Sequence, residues 1–292
     1  MPTFSTPQPI SVTVELGVGD LRIVASDRTD TTVEVRPSDA AKKADVTAAE
    51  HTLVEYAGGR LLIKAPKSWR QYTFRGGGES IDVRIELPAG SHLRGETGVA
   101  ALRCQGRLGE CRYRTGAGDL QLDQAGAVQL RTGIGEITLE QADGDAEITT
   151  GSGSVRINRI DGAAVVKNSN GDTWIGEITG NLRVNAANGR ISVDRACETV
   201  AAKSANGDVR LGEVGHGTVL AETALGKVEI GIRDGVAAWL DLNTRYGSVH
   251  NDLGPSERPG PGEDAVEVRA RTSFGDITIN RSVAADSGKD QT

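Results

Sequence analysis

Apolar residues recur, with few exceptions, every nine positions along most of this chain, and this period constrains the fold more than any other feature. The series starts at Leu93, Leu102, Cys111 and Leu120, shortens to eight residues before Val128, and then returns to nine. Its later members are Ile137, Ala146, Val155, Ala164, Thr173, Leu182, Ile191, Val200 and Val209. A fixed short period predicts an architecture of stacked repeats.

Most members of the series are followed two residues later by a second apolar residue, as at Leu122 and Ile157. Since side chains two apart lie on one face of a β-strand, each unit predicts a short strand and a corner. Every second unit opens with a glycine motif, such as TGAGDLQL at 115–122 and SANGDVRL at 204–211, so the true repeat is 18 residues. This pattern predicts an all-β fold. The predicted architecture is a single-stranded parallel β-solenoid (right-handed β-helix) of about 18 residues per coil, with looser capping strands at both ends.

Asparagine precedes the corner glycine in three successive coils. Asn170, Asn188 and Asn206 are 18 residues apart, so stacked coils would place their amides above one another. We predict a structural ladder of amide hydrogen bonds at these positions. The alternative is that asparagine is used because it tolerates a left-handed corner. A further column at the same spacing is predicted to point inward: Ile160, Ile178, Ala196 and Val214.

The repeat also predicts how the chain is organised. Residues 1–92 are expected to form a β-rich start and cap of the solenoid, and residues 93–281 its regular coils and C-terminal cap. A loop at 254–265 interrupts that cap, in which Trp239 is a predicted capping residue. The polar residues 282–292 are expected to be a disordered tail.

Two other solenoid types are disfavoured by the residues. Left-handed hexapeptide helices need an apolar residue every six positions, but from Leu120 this spacing reaches Gly126 and Thr132. Calcium-binding nonapeptide arrays need paired glycines and an aspartate at a fixed offset, which this chain lacks. Cysteine and histidine show no metal-type spacing, so no metal or cofactor is predicted.

Composition limits which partners the protein is expected to bind and where in the cell it is expected to be. The net charge is −7 and no basic face is evident, so we expect no nucleic-acid binding. No stretch approaches the roughly 18 apolar residues that predict a membrane span. The opening residues MPTFSTPQPISVTVEL show no signal peptide, and Cys104, Cys111 and Cys197 fit the repeat as structural positions. We therefore expect a cytoplasmic protein.

The motifs resemble those of a known bacterial family. The TGxGDLxL units, NSNGDTWIGEI, SANGDVRLGEV and the opening PISVTVELGVGDLRIVASDRTDTTVEV carry the resemblance, which covers roughly residues 8–281. The chain is similar to the β-strand-repeat family of unknown function that is labelled "putative adhesin" and is frequent in actinobacteria. The resemblance implies a solenoid and, from the label, adhesion. It implies no catalytic residue.

The sequence offers no constellation of catalytic side chains. The histidines His51, His92, His216 and His250 have no acidic or cysteine neighbour at a motif spacing, and no phosphate loop or serine elbow occurs. Clustered carboxylates, as in polysaccharide-cleaving β-helices, are also missing. On one predicted sheet the outward residues are Glu147, Val165, Arg183, Ala201 and Val219. We expect a protein that is not an enzyme.

Two groups of residues are candidate ligand-binding sites. Trp174 is predicted to point outward, with Arg156 and Ser192 one coil away on either side, and an exposed tryptophan on a flat sheet can stack on a sugar or a partner. The simpler interpretation is packing beneath a loop. The segment 66–78 concentrates aromatic and basic residues ahead of a glycine run, which suits either a binding loop or a cap over the first coil. Its candidate residues are Trp69, Arg70, Tyr72, Phe74 and Arg75.

Together these patterns predict a non-enzymatic β-solenoid that acts as a binding or scaffold module. The expected partner is an unknown protein or glycan, and self-association is possible. One alternative is a cytoplasmic structural polymer of end-stacked solenoids. The other is a carbohydrate-binding or adhesive β-helix at the cell surface.

Overall fold

The computed structural model describes residues 2–66, 79–254 and 265–282, and nearly all of its elements are β-strands. It confirms the predicted all-β parallel β-solenoid. The chain forms two compact units, Met1–Asp172 (unit 1) and Thr173–Thr292 (unit 2). The predicted loop and tail lie almost wholly outside the described residues, at 255–264 and 283–292.

Unit 1 consists of short strands and one helix, α1 (Lys43–Glu50), between its fourth and fifth strands. The strands are β1 (Thr3–Ser5), β2 (Ser11–Val18), β3 (Leu21–Ser26), β4 (Asp30–Pro37), β5 (Leu53–Ala57), β6 (Arg60–Lys64), β7 (Ile81–Pro88), β8 (His92–Val99), β9 (Leu102–Arg107), β10 (Cys111–Ala117), β11 (Leu120–Ala125), β12 (Val128–Ile134), β13 (Ile137–Ala142), β14 (Ala146–Ser152), β15 (Val155–Ile160) and β16 (Ala164–Asn170).

These strands form two sheets in unit 1, ordered β5-β6-β2-β8-β10-β12-β14-β16 and β1-β4-β7-β3-β9-β11-β13-β15. From β6 onward the chain alternates between the sheets, so each of these coils gives one strand to each sheet. Neighbours are parallel except β1 with β4, β4 with β7 and β5 with β6. The coil of β6 and β7 lies outside the coil of β2 and β3, although it comes later in the chain.

Antiparallel strands and the helix close the outer edge of unit 1; we call β1, β4, β5 and α1 the cap. Phe4 on β1 and Tyr56 on β5 meet with their ring centroids 5.1 Å apart. Helix α1 contacts β4 and β7. Its buried Asp45 forms an ion pair with Lys42 (2.9 Å) and accepts a hydrogen bond from the backbone N–H of Ser80 (3.1 Å). The cap therefore covers the interior of the outermost coil of this unit.

Unit 2 continues with strands of the same kind. They are β17 (Thr173–Ile178), β18 (Leu182–Asn188), β19 (Ile191–Ala196), β20 (Val200–Asn206), β21 (Val209–Val214), β22 (Gly217–Leu225), β23 (Val228–Ile232), β24 (Ala237–Tyr246), β25 (Val249–Asn251), β26 (Ala265–Phe274) and β27 (Ile277–Arg281).

The coils of unit 2 do not stack in chain order. Within this unit the sheets read β18-β20-β22-β26-β24 and β17-β19-β21-β23-β27-β25, with parallel neighbours. The coil of β26 and β27 (the inserted coil) therefore lies between two coils that precede it in the chain. The coil of β24 and β25 (the terminal coil) forms the outer edge of unit 2.

The nine-residue series forms the core, as predicted. Ile157, Ile191 and Leu211 are buried, whereas Arg156 and Arg210 are exposed and Ser192 is half-buried. The predicted third inward column is also buried: Ile160, Ile178, Ala196 and Val214. One predicted outward position is wrong. Val219 is buried because Leu220, not Val219, is the register partner of Ala201, since the corner before β22 holds an extra residue.

The corners are built from the threonine and the second glycine of the TGxG motif. Gly118 has φ 139°, and a Cβ there would lie 2.1 Å from the carbonyl oxygen of Ala100, so no larger residue fits. The buried Thr132 hydroxyl donates to the Gly118 carbonyl at 3.1 Å, and Thr223 repeats this contact with Gly207 at 2.8 Å. A coil with a polar residue at this position thus satisfies a carbonyl that the neighbouring corner leaves inside the protein, whereas Ala186 in the coil of β18 makes no such contact.

The aspartates after these glycines are also structural. The Asp119 carboxylate accepts the backbone N–H of Glu136 at 2.9 Å, and Asp208 does the same for Lys227 at 2.9 Å. The carboxylates therefore tie neighbouring coils together, which explains the motif without calcium.

The asparagine column takes the predicted position in its coils. All three side chains are exposed, and Asn188 and Asn206 are register partners within unit 2. In unit 1, the Asn170 amide donates to the carbonyl oxygen of Gly151 at 3.3 Å. The left-handed alternative is wrong, because every described residue with positive φ is a glycine. The amide-to-amide ladder stays a prediction.

Candidate binding surfaces

The aromatic segment at 66–78 joins β6 to β7 in unit 1. Its candidate residues, Trp69, Arg70, Tyr72, Phe74 and Arg75, lie outside the described residues, which end at 66 and resume at 79. Whether this segment binds a ligand or covers the first coil stays a prediction.

The two other predicted candidates lie in different units. Arg156 is on β15 of unit 1, exposed, with Thr138 as its register partner on β13. Trp174 is on β17 of unit 2 and is half-buried, between the fully buried side chains of Thr173 and Ile175. Because inward and outward side chains alternate along a strand, the Trp174 indole lies on the outer face of its sheet, as predicted.

Trp174 starts a row of outward side chains across unit 2. The register partners run from Trp174 to Ser192, then to Arg210, and then to Glu229. Neighbouring members are therefore about 4.8 Å apart, the usual strand spacing. Arg210 and Glu229 approach each other to 3.8 Å. This row presents an aromatic surface, a hydroxyl and an ion pair in one line.

A groove runs beside this row because the next outward position carries almost no side chains. It is Gly176 on β17, Gly212 on β21 and Gly231 on β23, with Asp194 on β19 between the first two. A Cβ at Gly231 would lie 2.0 Å from the carbonyl oxygen of Gly212, so the glycines also let these strands approach closely. The groove has a volume of about 430 Å³ and is lined by these glycines and by Glu177, Asp194, Arg195, Arg210, Glu213, Glu229, Asn280, Arg281 and Ser282. We call it the Trp174 groove after the tryptophan at the head of the neighbouring row, which lies beside the groove and does not line it.

Charged side chains fix the far wall of the groove. Glu213 lies 3.4 Å from Arg195 and 3.2 Å from Arg233, and it accepts a hydrogen bond from the Ser282 hydroxyl at 3.3 Å. The Arg281 guanidinium donates to the backbone carbonyl of Arg233 at 3.0 Å. The wall therefore offers hydrogen-bond donors and acceptors that are already held in place by their neighbours.

A second surface of unit 2 is apolar. Leu225, Phe274 and Tyr246 are register partners on β22, β26 and β24, and they are 48 %, 51 % and 61 % exposed. The rings of Tyr246 and Phe274 are stacked, with centroids 4.8 Å apart. They occupy the place before the corner glycine that Asn188 and Asn206 take in earlier coils. Aligning the corner motifs TALG, TSFG and TRYG with SANG shows an apolar residue in place of asparagine before the glycine. This comparison would have predicted the row from the sequence.

Trp239 does not cap unit 2, contrary to the prediction. It is 64 % exposed and lies on the outer face of β24, because the side chains of Ala238 and Leu240 occupy the inward positions on either side. Beyond β24 and β25, no further strand follows among the residues that the structure describes.

The groups with shifted pKa values lie away from the Trp174 groove. Burial raises the pKa of Cys111 to about 12 and also raises the pKa values of Cys104 and Tyr113, so all three are protonated at neutral pH. Tyr113 fits the core because its register partner is Gly95, where a Cβ would lie 2.3 Å from the ring. The lowered pKa values belong to carboxylates that accept hydrogen bonds from neighbouring side chains: Asp30, Asp45, Glu86 and Glu147.

The described residues contain no group of three or more histidine, cysteine or acidic side chains placed to hold a metal ion. His92, for example, uses its Nδ1 atom to accept the backbone N–H of Glu110 at 2.9 Å. Over the same ranges, no helix is long and apolar enough to cross a bilayer.

The fold and its corners define a parallel β-solenoid with a shallow groove on one outer face. The chain belongs to the Toastrack DUF4097 family, whose model matches residues 9–280. No curated protein matches the chain.

Several solved structures are similar to it. One is a "putative adhesin" from Bacteroides fragilis, with 12% identity, 95% of each chain covered and a TM-score of 0.41. Another, from Parabacteroides distasonis, has the same description, with 14% identity, 95% of each chain covered and a TM-score of 0.38. A "putative lipid binding protein" from the same organism has 12% identity, covers 96% of this chain and 95% of its own, and has a TM-score of 0.27.

Proposed function

We propose that this protein is a non-enzymatic binding module and that its ligand is a glycan chain that lies along the Trp174 groove. The observation that carries the proposal is the half-buried indole of Trp174 at the head of a row that ends in the Arg210–Glu229 ion pair. An indole face packs against the apolar face of a sugar ring, and its rigid ring loses little entropy on binding.

The shape of the groove supports an extended ligand. Its floor is backbone at Gly176, Gly212 and Gly231, and Asp194 on β19 is the one side chain between the first two, so a linear chain crossing these strands meets a carboxylate between stretches of backbone. The wall of Arg195 and Glu213, the latter also held by Arg233, supplies charged partners for sugar hydroxyls, and such hydrogen bonds are stronger than neutral ones.

The absence of catalysis is part of the proposal. General acid–base catalysis uses groups whose pKa values lie near the working pH. The raised pKa values here belong to buried thiols, a buried phenol and the Arg28 guanidinium beside Asp30, and the lowered ones to carboxylates held by neighbouring donors. We also propose, as the sequence suggests, that the protein is cytoplasmic and does not bind nucleic acid. Fractionation of the source cells tests the first statement, and a gel-shift assay with duplex DNA and single-stranded RNA tests the second.

An array of defined oligosaccharides, followed by calorimetry with the tightest hit, tests the glycan proposal. We expect Trp174→Ala to weaken binding at least tenfold while the melting temperature changes little. Trp239→Ala is the matched control, because it removes another exposed indole of unit 2 outside the groove, and it should bind normally. Absence of any bound oligosaccharide, or equal loss in both variants, would reject the groove as a glycan site. Release of shortened oligosaccharides during the assay would reject the non-enzymatic part.

A further inference from the structure

The terminal coil leaves the interior of unit 2 uncovered. On the inserted coil, Val268 and Ile277 are fully buried. Their register partners on the terminal coil are Leu240, which is only half-buried, and Val249, which is 44 % exposed. Strands β24 and β25 are each paired on one side only among the described residues, so their outer edges present free backbone donors and acceptors.

Apolar side chains surround this edge. Trp239 on the outer face of β24 is 64 % exposed, and Tyr246 at its corner is 61 % exposed and stacked on Phe274. A flat strand edge with large exposed apolar residues is a template for pairing with another strand.

Two stretches of the sequence, residues 255–264 and 283–292, lack the alternating apolar pattern of the strands in unit 2. Residues 255–264, PSERPGPGED, include three prolines and no branched aliphatic or aromatic side chain. Residues 283–292, VAADSGKDQT, have a single branched aliphatic residue. Proline lacks the N–H that a strand donates, and neither segment has the alternation that would bury Leu240 and Val249.

We propose that a second copy of the chain covers this edge, with β24 of the two copies paired antiparallel about a two-fold axis. The outward residues of β24 are self-complementary about Asn243. In an antiparallel pair centred there, Asp241 of each copy lies opposite Arg245 of the other, so two ion pairs form. Asp241 lies 3.5 Å from Arg271 in its own chain, whereas Arg245 has no ion-pair partner among the described residues. Opposite charges directly across an antiparallel pair stabilise that register.

A two-fold dimer fits the molecule better than a filament of end-stacked copies. A filament needs two open edges that complement each other, whereas a two-fold interface uses the same edge twice. The outer edge of unit 1 is covered by its cap, in which Phe4 packs against Tyr56. The edge at β24 is thus the one suited to pairing with itself. This inference is independent of the proposed glycan site.

Sedimentation velocity with the full chain tests the dimer. The wild type should sediment at twice the chain mass of 30.6 kDa, with no larger species. Asp241→Arg and Arg245→Asp should each raise the dimer dissociation constant at least tenfold, because each places like charges opposite one another. The double variant D241R/R245D exchanges the charges and should restore the dimer. Arg183→Asp on β18 changes an exposed charge elsewhere in unit 2 and should leave the dimer dissociation constant unchanged.

Thermal melts of each variant show that it folds. A monomeric wild type at about 100 µM, or a series of larger species, would overturn the proposal. The proposed β24 pairing centred on Asn243 would be wrong if the folded single variants dimerise like the wild type. It would also be wrong if the double variant stays monomeric. Because Trp174 lies on the other sheet of unit 2, glycan binding by Asp241→Arg is expected to be normal, so the two proposals fail separately.

Discussion

The outer edge of unit 1 is covered by a cap, whereas the outer edge of unit 2 ends in an ordinary coil. Both are ends of a stack of parallel strands, where backbone groups and inward apolar side chains lose their neighbours. In unit 1 the cap adds antiparallel strands, a helix and the Phe4–Tyr56 contact. In unit 2 the terminal coil has the same register as the coils before it and ends with Leu240 and Val249 partly exposed.

This difference shows that a regular coil cannot end its own stack. Each coil buries its inward residues only between two neighbours, as repeat architectures require of all internal repeats. Termination needs a sequence that leaves the pattern, and in unit 1 that sequence is the irregular stretch from β4 to β6. The terminal coil keeps the pattern, and its inward residues Leu240 and Val249 stay partly exposed.

The largest difference in stability is expected between the same substitution made on the inserted coil and on the terminal coil. Val268→Asp places a carboxylate between two paired strands and should lower the free energy of unfolding by about 3–5 kcal/mol. Leu240→Asp, at its register partner on the open edge, should cost about 1 kcal/mol, because water reaches the new charge. Urea unfolding at a concentration where the chain is monomeric measures both. Equal losses would show that the terminal coil is covered within the monomer.

The cap should depend on its aromatic contact. Tyr56→Ala is expected to lower the free energy of unfolding by about 1–2 kcal/mol, because it removes a half-buried ring that packs on Phe4. Tyr246→Ala is the comparison at the other edge: its ring is 61 % exposed but stacked on Phe274, so the loss should be smaller, about 0.5–1 kcal/mol. A larger loss for Tyr246 would reverse our assignment of closed and open edges.

Acid should loosen the cap before it affects unit 2. Burial by itself raises the pKa of Asp45, but hydrogen bonds from Lys42 and Ser80 outweigh it and the pKa is lowered. Glu86 also has a lowered pKa, first through its hydrogen bond from Arg28. A carboxyl whose folded pKa is depressed stabilises the fold above its unfolded pKa, near 3.8 for Asp45, and this stability is lost as the pH falls further.

Hydrogen exchange at about pH 3 and about pH 6 measures this effect. The amides of α1 and β4 should lose protection at the lower pH while those of β19 and β21 keep theirs. In Asp45→Asn the pH dependence in α1 should be weaker. Uniform loss across both units would contradict the prediction.

The smallest effect tests the asparagine column. If the amides of Asn188 and Asn206 bond each other, a double-mutant cycle with alanine at both positions should give a coupling energy of about 0.5–1 kcal/mol. The two residues are register partners, so the geometry permits the bond. A coupling energy near zero would reject the ladder and leave only their contacts with the backbone.

Regular packing made the coils predictable from sequence. The nine-residue spacing fixed which side chains are buried, because one face of each strand must be apolar, and it placed Trp174 outward. The order of the coils in unit 2 was not predictable in this way. Every coil with a TxxG corner offers the same register, so the pattern cannot say whether β26 or β24 lies beside β22.

Only part of the Trp174 groove could be predicted from the sequence. Trp174, Ser192 and Arg210 followed from the 18-residue spacing. The glycine floor required knowing that Gly176, Gly212 and Gly231 occupy one outward position, although the spacing between the last two is 19 rather than 18. Arg233 and Ser282 reach the wall through corners whose lengths the repeat does not specify.

The inserted coil also sets an order of events during synthesis. Residues 237–251 leave the ribosome before residues 265–281, so the terminal coil is outside while its partner coil is still within the exit tunnel. In that interval the exposed edge of β22 and β23 can pair in the same register with either coil. The terminal coil, which is made first, can therefore occupy the place that the inserted coil takes in the finished protein. Completing unit 2 then requires opening that pairing to admit β26 and β27. A chain truncated at residue 255 and released from the ribosome should therefore hold β24 against β22, a neighbour it does not have in the finished protein.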